Sequence, residues 1–409
     1  MQLLLVLCLM LLSPGMTTIG RRESRRKAKE LSTAVAVAAS NRDLAFNLYR
    51  ALAAAEPGSN VFFSPIGISM SLAMLALGAR AHTKTQILEC LGLSPQDPQD
   101  PQGEEQLHKA FRQLRLKLSQ PQDSRQLILG NALFVDQKLG IRDTFLRAAK
   151  TLYLAEALTS NFEDPQGAEK QINDYVANRT KGKVVDLIKS LDRDTVLVLA
   201  NFVFFKAPWQ TSFSPQKTQE KAFHVSEDVV VQVPMMTDEA LYYYLQDPNL
   251  SCRVVAVPYQ GNATALFVLP RAASLERVEK GLKEQTLQEW LKKLRKRQLQ
   301  LYLPRFSMEA SYQLEKTLPQ LGIGDIFSSQ ADLGGLSHQA NIQVSEMVHK
   351  AVVEVDESGT QAASATGMVI MARVAQAHSL RVVFNKPFLV LIMENKTRNI
   401  LFLGKVVHP

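Results

Sequence analysis

The chain has few cysteines and few tryptophans, three and two respectively among 409 residues. Cys8 lies in an N-terminal segment that we expect to be removed, so Cys90 and Cys252 can form at most one disulfide bridge. A single bridge does not make a disulfide framework. The fold must therefore depend on its apolar core, and a hydrophobic content of 46% is typical of a globular protein with a large core.

Catalytic motifs are also missing. There is no Gly-x-Ser-x-Gly nucleophile elbow, no His-Glu-x-x-His zinc motif and no phosphate-binding loop. The seven histidines are scattered and do not have the spacing of metal ligands. A hydrolase therefore has no support, and we expect no catalytic residue, no metal site and no cofactor.

The first 20 residues carry no charge. The apolar run from Leu3 to Leu12 is too short to span a bilayer. It fits a signal peptide over residues 1–20 with cleavage near Gly15 to Gly20, although a basic n-region is missing. A buried N-terminal helix is the alternative. The segment predicts a secreted, extracellular protein.

Basic residues dominate the charge, which is +8 in total. Residues 21–30 hold six basic and two acidic side chains, so half of the net charge lies in one short stretch. We interpret residues 21–40 as a disordered basic arm. An excess of basic residues favours polyanionic partners. For a secreted protein, the expected polyanion is a glycosaminoglycan and not nucleic acid.

Apolar patterns predict helices in the first half of the chain and strands in the second, which indicates an α+β fold with large mixed sheets. The helical patterns begin at residue 41 and recur at 69–77, 104–119 and 143–155. The strand patterns lie at 61–63, 196–205, 229–233, 253–257 and 265–269. The 196–205 run is apolar except for Asn201 and predicts a strand buried on both faces. No linker divides residues 41–409, so they form one domain.

A run without charge separates Glu357 from Arg373, and most of its side chains up to Gly367 are small. Such a segment could enter a sheet without burying a charge, or remain outside as a mobile loop. A lone arginine at its end suits the acidic specificity pocket of a trypsin-like protease. A linker of Ala, Ser and Gly that happens to precede an arginine is the alternative.

The sequences flanking this run resemble the serpin family: Met347–Thr360 before it, and Val383–Phe388 and Phe402–Val406 after it. The resemblance covers about residues 41–409. It implies the serpin fold, with helices around a large central mixed sheet, two further sheets and an exposed reactive loop, here residues 357–381. It also implies an inhibitor of trypsin-like serine proteases, monomeric when active, that is cleaved as a suicide substrate. Its cut loop then inserts into the main sheet and traps the acyl-enzyme.

On this resemblance Arg373 and Val374 flank the reactive bond. Val374 stands where similar inhibitors commonly have serine, and its stiff β-branched side chain leaves the target protease open. The loop base and hinge are formed by Glu357, Gly359, Thr360, Ala362, Ala363 and Ala365. Some serpins are instead non-inhibitory carriers of small hydrophobic ligands, and these tend to carry unfavourable hinge residues. The small-residue hinge here favours the inhibitor.

The resemblance also assigns a polar cluster where the main sheet opens, made of Ser64, Ser69, Asn201 and His349. The alternative is that the serines cap turns or helices and that His349 is a hydrogen-bonded core histidine. The resemblance further pairs Arg305 with Glu357 at the base of the loop, where the pair would restrain premature insertion.

A basic cluster follows a predicted helix. The stretch Thr286–Glu289 has the pattern of a capping box, and Leu287, Trp290, Leu291 and Leu294 predict one buried helix face. The resemblance implies a heparin site on Lys292, Lys293, Arg295, Lys296 and Arg297, which Lys280 and Lys283 extend. The alternative is that these cations only complement the helix dipole. Heparin or a related glycosaminoglycan is therefore the expected modulator, and anionic lipid or a small hydrophobic ligand is a further candidate partner.

Four Asn-x-Ser/Thr sequons are glycan acceptors if the chain is secreted and they are exposed. They begin at Asn178, Asn249, Asn262 and Asn395. The last lies in a predicted hairpin turn next to core strands.

Overall fold

A computed structural model describes residues 38–92, 101–119, 126–271, 275–339, 342–358 and 379–409. The predicted signal peptide and most of the predicted arm lie outside these ranges. Residues 38–40, the last three of the predicted arm, are helical and not disordered as predicted. Also outside are Arg373 and Val374 of the reactive bond, and Gly359, Thr360, Ala362, Ala363 and Ala365 of the hinge.

The described helices lie mainly in the first half of the chain, as the sequence predicts. They are α1 (residues 38–55), α2 (Pro65–Ala76), α3 (Ala81–Cys90), α4 (Pro101–Ser119), α5 (Asp143–Tyr153), α6 (Pro165–Thr180), α7 (Leu275–Gly281) and α8 (Glu284–Lys293). Short 3-10 turns occupy Pro215–Lys217, Leu314–Lys316, Leu318–Leu321 and Asp325–Phe327.

Most of the described strands lie in the second half. They are β1 (Val61–Phe63), β2 (Gln126–Asp136), β3 (Glu156–Ser160), β4 (Leu197–Lys206), β5 (Gln219–His224), β6 (Val230–Asp247) and β7 (Cys252–Pro258). They continue with β8 (Ala263–Pro270), β9 (Arg295–Pro304), β10 (Phe306–Gln313), β11 (Glu346–Val355), β12 (Leu380–Val383), β13 (Phe388–Glu394) and β14 (Ile400–Val406).

The central sheet is five-stranded, with the order β10-β11-β4-β2-β3. It is mixed, because β11 and β4 are parallel and β2 and β3 are parallel, whereas β10–β11 and β2–β4 are antiparallel. Helices pack around it, so the predicted α+β fold with a large central mixed sheet is confirmed.

Strand β4 is buried on both faces, as its apolar sequence predicts. Leu199, Val203 and Phe205 face the main core. Phe202 and Phe204 face a second core beneath α6. Each fully buried large apolar side chain stabilises the fold by about 1.5–3 kcal/mol, so β4 is anchored in both cores.

The other strands form one nine-stranded sheet, with the order β1-β14-β13-β8-β7-β6-β9-β12 and β5 paired to β6. The 18-residue strand β6 makes it continuous. The N-terminal half of β6 pairs with β5 and its C-terminal half with β7, while β9 runs along its other edge. The two further sheets expected from the sequence are therefore hydrogen-bonded to each other through β6.

One predicted helix start was wrong. Helix α8 begins at Glu284, two residues before Thr286. Thr286 does not cap it but donates its hydroxyl hydrogen to the carbonyl oxygen of Gly281, 2.7 Å away. The helix ends at Lys293, and the sheet resumes at once with Arg295.

Candidate functional site

The seam between β11 and β4 is the candidate site. β11 leads directly towards the predicted reactive loop and lies parallel to β4, with His349 opposite Asn201. Parallel pairing is slightly less stable per residue than antiparallel pairing. A segment that leaves the end of β11 and folds back would run antiparallel to both strands.

A buried histidine lies under the middle of the seam. The backbone N–H of Ser64 donates to Nε2 of His349 over 3.0 Å. Nδ1 therefore carries the proton and donates it to Oδ1 of Asn201, 2.5 Å away. His349 is fully buried, and burial lowers its pKa to about 3. The ring is neutral at physiological pH and joins α2 to β4 and β11.

The amide of Asn201 extends this network to β2 and α2. Its Nδ2 donates to Oδ1 of Asn131, at 2.5 Å, and to the carbonyl oxygens of Gly67 and Gly130. Asn131 in turn accepts the hydroxyl hydrogen of Ser71 over 2.7 Å. A side chain at Gly67 would approach Oδ1 of Asn201 to 2.8 Å, so glycine permits this contact.

Sequence reasoning missed Asn131. The available signal was a lone amide in the middle of an apolar strand, because a buried polar group needs a partner. That signal could not name the partner, which lies 70 positions away in the chain.

The two predicted serines have different roles. Ser64 caps α2, since its hydroxyl oxygen accepts the N–H of Gly67, and its O–H donates to the carbonyl oxygen of Leu401 over 2.7 Å. Ser69 instead donates to Oδ1 of Asn41 over 2.7 Å. The structure therefore brings together three of the four predicted residues, and it also bears out the simpler view of Ser64 as a helix cap.

The base of the predicted loop is held by Glu357. Its Oε1 accepts the hydroxyl hydrogen of Thr218 over 2.8 Å, and Nη1 of Arg305 lies 3.6 Å from the same oxygen. Its backbone carbonyl accepts the N–H of Phe213 over 2.8 Å. The predicted Arg305–Glu357 pair is present, but Thr218 makes the closer contact.

Trp209 supports the residues on either side of Glu357. Its indole N–H donates to the carbonyl oxygen of Asp356 over 2.8 Å, and its backbone N–H donates to that of Ser358 over 3.3 Å. The ring stacks on Tyr259 with a centroid distance of 4.2 Å. Trp209 is completely buried. Its two hydrogen bonds therefore fix the backbone of the residues that lead into the predicted loop.

An ionic cluster closes the end of β11. Nζ of Lys206 lies 2.7 Å from Glu354 and 3.2 Å from Asp356, and Nζ of Lys183 lies 3.1 Å from Glu354. Burial favours a higher pKa for the Glu354 carboxyl, but the two lysines outweigh it and hold that pKa below its usual value.

The predicted heparin residues lie at a corner between a helix and a strand. Lys292 and Lys293 end α8, whereas Arg295, Lys296 and Arg297 begin β9, and all five are exposed. Lys283 precedes α8 as its exposed N-cap residue. Lys280 lies on α7, where its hydrogen bond to Glu276, over 2.6 Å, raises its pKa. Lys293 is paired in the same way with Glu289 over 2.7 Å.

The four sequons differ in exposure. Asn178 on α6, Asn249 in the turn after β6 and Asn395 in the turn after β13 are exposed. The hairpin predicted for Asn395 is present between β13 and β14. Asn262 is half-buried and its amide donates to Glu394.

The two described cysteines, Cys90 and Cys252, are free thiols. Burial raises their pKa values to about 11 and about 12, and a nearby Asp247 adds to the second. Within the described ranges, no three His, Cys, Asp or Glu side chains come together to bind a metal. The described helices include none with the length and apolar character needed to cross a membrane.

Known proteins are similar to this chain in sequence and in fold. The family model described as "Serpin (serine protease inhibitor)" matches residues 39–409. The chain is 59% identical over 410 residues to plasma serine protease inhibitor of Bos taurus, and 57% identical over 413 residues to that of Homo sapiens, with 100% of each chain covered. The structure of human thyroxine-binding globulin complexed with thyroxine superposes with a TM-score of 0.86 at 39% identity, covering 92% of this chain and 99% of that one.

Family model, relatives and fold agree over the same residues that carry the seam and the loop base. The chain belongs to the serpin family of serine protease inhibitors.

Proposed function

We propose that this chain is a secreted inhibitor of trypsin-like serine proteases that acts as a suicide substrate. The observation that carries the proposal is the parallel β11–β4 seam, together with the neutral sequence that follows β11 in the chain. Inserting that segment replaces one parallel pairing by two antiparallel pairings. The names of the bovine and human relatives support the same activity.

The protease accepts Arg373 in its specificity pocket and attacks the Arg373–Val374 bond. The serine oxygen forms an ester with the carbonyl carbon of Arg373, and the new amino group of Val374 leaves with the C-terminal part of the chain. The freed segment enters the seam, where its small uncharged side chains meet no desolvation penalty for a charge. The protease is dragged with it before water can hydrolyse the ester.

The native fold is then a kinetically held state, released by cleavage. The neutral network of His349 and Asn201 lies where the strands must part. Breaking this network separates no charges, because its groups are neutral. The network can re-form around the inserted strand. The contacts of Glu357 with Thr218 and Arg305 delay that movement until the loop is cut.

The test is incubation with trypsin. The intact chain should give an adduct that survives SDS, and the cleaved chain should melt at a higher temperature than the intact chain. Arg373→Ala should lose the adduct, whereas Thr360→Arg should be cleaved at the same bond without forming it, because the charge blocks insertion. Plain cleavage of the unaltered chain with no rise in melting temperature would overturn the proposal.

We also propose that heparin accelerates inhibition by bridging the protease and the basic corner between α8 and β9. Five exposed cations within six positions support this. The effect should weaken with salt, since exposed charges are screened over about 8 Å at physiological ionic strength. Neutralising Lys292, Arg295 and Arg297 together should remove most of the acceleration and leave the rate without heparin unchanged. Exposed Lys109, Lys150 and Lys170 form a matched control.

A carrier of a small hydrophobic ligand is the second candidate, because thyroxine-binding globulin shares the fold. An apolar pocket between α8, β8 and β13 is lined by Leu266, Leu291, Leu294 and Met393. Its volume is about 220 Å³, below the roughly 300–1,000 Å³ of pockets that enclose drug-sized ligands. Inhibition is therefore the better supported function.

A further inference from the structure

An open pocket of about 480 Å³ lies at the β10 edge of the central sheet. Its volume falls within the roughly 300–1,000 Å³ of pockets that hold small molecules. It is bordered by the C-terminal end of α1, the start of β1, the segment between α6 and β4, and strands β10 and β11. It shares no lining residue with the predicted heparin site or with the apolar pocket of the carrier candidate.

The two apolar cores meet at this pocket. Leu52 and Val61 line it from the main core. Leu187, Ile188 and Val348 line it from the second core beneath α6. The pocket therefore offers an apolar surface that the body of a ligand can cover, and removing that surface from water favours binding.

A carboxyl group without a partner among the described residues forms part of the wall. Glu346 is half-buried, and no other described residue donates a hydrogen bond to its side chain or forms an ion pair with it. Burial raises the pKa of Glu346 to about 7. Three neighbouring carboxylates add to this rise and one lysine opposes it; they are Glu315, Asp192, Glu169 and Lys316. An electrostatic field that favours the protonated carboxyl also favours another cation placed beside it.

Other features of the pocket also favour a positive charge beside Glu346. Ala55 is the last residue of α1 and lines the pocket, and the C-terminal end of a helix carries a partial negative charge. Glu56 lines the pocket next to it. Lys189 and Lys316 line it as well, but both are exposed. Partly buried charges are screened much less than exposed ones, so Glu346 is the charge that would act most strongly on a ligand.

We propose that this pocket binds a small organic amine with an apolar body, whose ammonium group pairs with Glu346. The body covers the side chains of the two cores, and the ammonium donates charge-assisted hydrogen bonds to the carboxylate. Charge complementarity distinguishes this ligand from a carboxylate of the same size, which Glu346 and its acidic neighbours would repel. The site does not depend on protease inhibition.

Titration of the full chain with 4-phenylbutylamine, 4-phenylbutanol and 4-phenylbutyrate tests the site, because the three probes share one apolar body and differ in charge. Isothermal titration calorimetry at pH 8 should show saturable binding of the amine, and weaker binding of the alcohol and the acid. Affinity for the amine should fall about tenfold from pH 8 to pH 6. An alkylammonium group stays charged over this range, whereas the ionised share of Glu346 falls by that factor around a pKa of about 7.

Two substitutions locate the binding. Glu346→Gln should weaken amine binding at pH 8 about tenfold, the loss expected for a charge-assisted hydrogen bond, and should remove the pH dependence. Its matched control is Glu227→Gln, at an exposed position between β5 and β6. Ala55→Trp should fill the pocket and abolish binding of the amine. Its matched control is Ala54→Trp, at an exposed position that does not line the pocket.

Melting curves establish that each variant is folded before it is titrated. Weakened binding in the two pocket variants, with unchanged binding in the two controls, supports the site. The proposal is overturned if the alcohol or the acid binds as tightly as the amine, if all four variants bind the amine equally, or if no probe binds. Binding that is lost in Ala55→Trp but unchanged in Glu346→Gln contradicts the pairing of the ammonium with the carboxylate.

Discussion

The middle of β11 and its C-terminal end are held in different ways. In the middle, His349 and Asn201 are fully buried and every contact of the network is a hydrogen bond between neutral groups. At the end, Glu354 and Asp356 make ion pairs with lysines that are partly exposed. The same strand is therefore held in its middle by buried hydrogen bonds between neutral groups, and at its end by partly exposed ion pairs.

The difference predicts where the energy of the closed sheet lies. Exposed ion pairs are worth about 0–1 kcal/mol each because water and salt screen them. A buried donor or acceptor left without its partner costs about 1–3 kcal/mol. The hydrogen bonds in the middle of β11 should therefore contribute most of the free energy that opposes opening of the sheet. The ion pairs at its end should contribute less.

Replacing His349 by leucine is expected to have the largest effect. The change leaves the N–H of Ser64 and Oδ1 of Asn201 buried without partners, so we expect a loss of about 2–6 kcal/mol. Unfolding in urea, followed by fluorescence, measures it. As a control, Ile392→Val, at a buried apolar position of β13, should cost about 0.5–1.5 kcal/mol. A His349→Leu chain no less stable than the control would place the energy elsewhere.

The second largest effect is expected from acid, which should destabilise the middle of β11. The folded pKa of His349, about 3, is lower than its usual value of 6.5, so the unfolded chain binds the proton more readily between these values. The resulting stability is complete above pH 6.5 and is lost as the pH falls towards 3. The greatest slope is about 1.4 kcal/mol per pH unit. Melting curves from pH 7 to pH 4 should show a shallower fall for His349→Gln, and parallel curves would contradict the assignment.

The sequence predicted the strand that forms one side of the seam, but not the contacts across it. The run at 196–205, apolar except for Asn201, was sufficient to predict a doubly buried strand, because burial on both faces leaves no alternation. Asn131 meets Asn201 only through the pairing of β2 with β4, which no local pattern encodes. The capping-box pattern failed at Thr286 because its hydroxyl bonds to Gly281 instead. The neutral run before Arg373 lies outside the described residues, so its role stays a prediction.

The N-terminal end of β11 should respond to pH in the opposite sense. The pKa of Glu346 is raised to about 7, first by burial and then by Glu315, Asp192 and Glu169, while Lys316 opposes them. The protonated carboxyl therefore stabilises the fold at low pH, and this stability is lost as the pH rises from 4.5 through 7. Glu346→Gln should melt a few degrees higher than the unaltered chain at pH 8 and at the same temperature at pH 4. Glu227→Gln, at an exposed position between β5 and β6, is a control for general charge loss, and an equal gain there would contradict the prediction.

The smallest effect is expected at the loop base, where two partners share Glu357. Arg305 is 52% exposed and its nitrogen lies 3.6 Å from the carboxylate, whereas the Thr218 hydroxyl lies 2.8 Å away. Arg305→Ala should therefore cost less than about 1 kcal/mol, and native gels after mild warming should still show monomer. Glu357→Lys removes both contacts and places a cation beside Arg305, so it should form loop–sheet polymers under the same warming. If Arg305→Ala polymerises as readily as Glu357→Lys, the ion pair and not the Thr218 hydrogen bond holds the loop base. The ionic end of β11 would then matter as much as its buried middle.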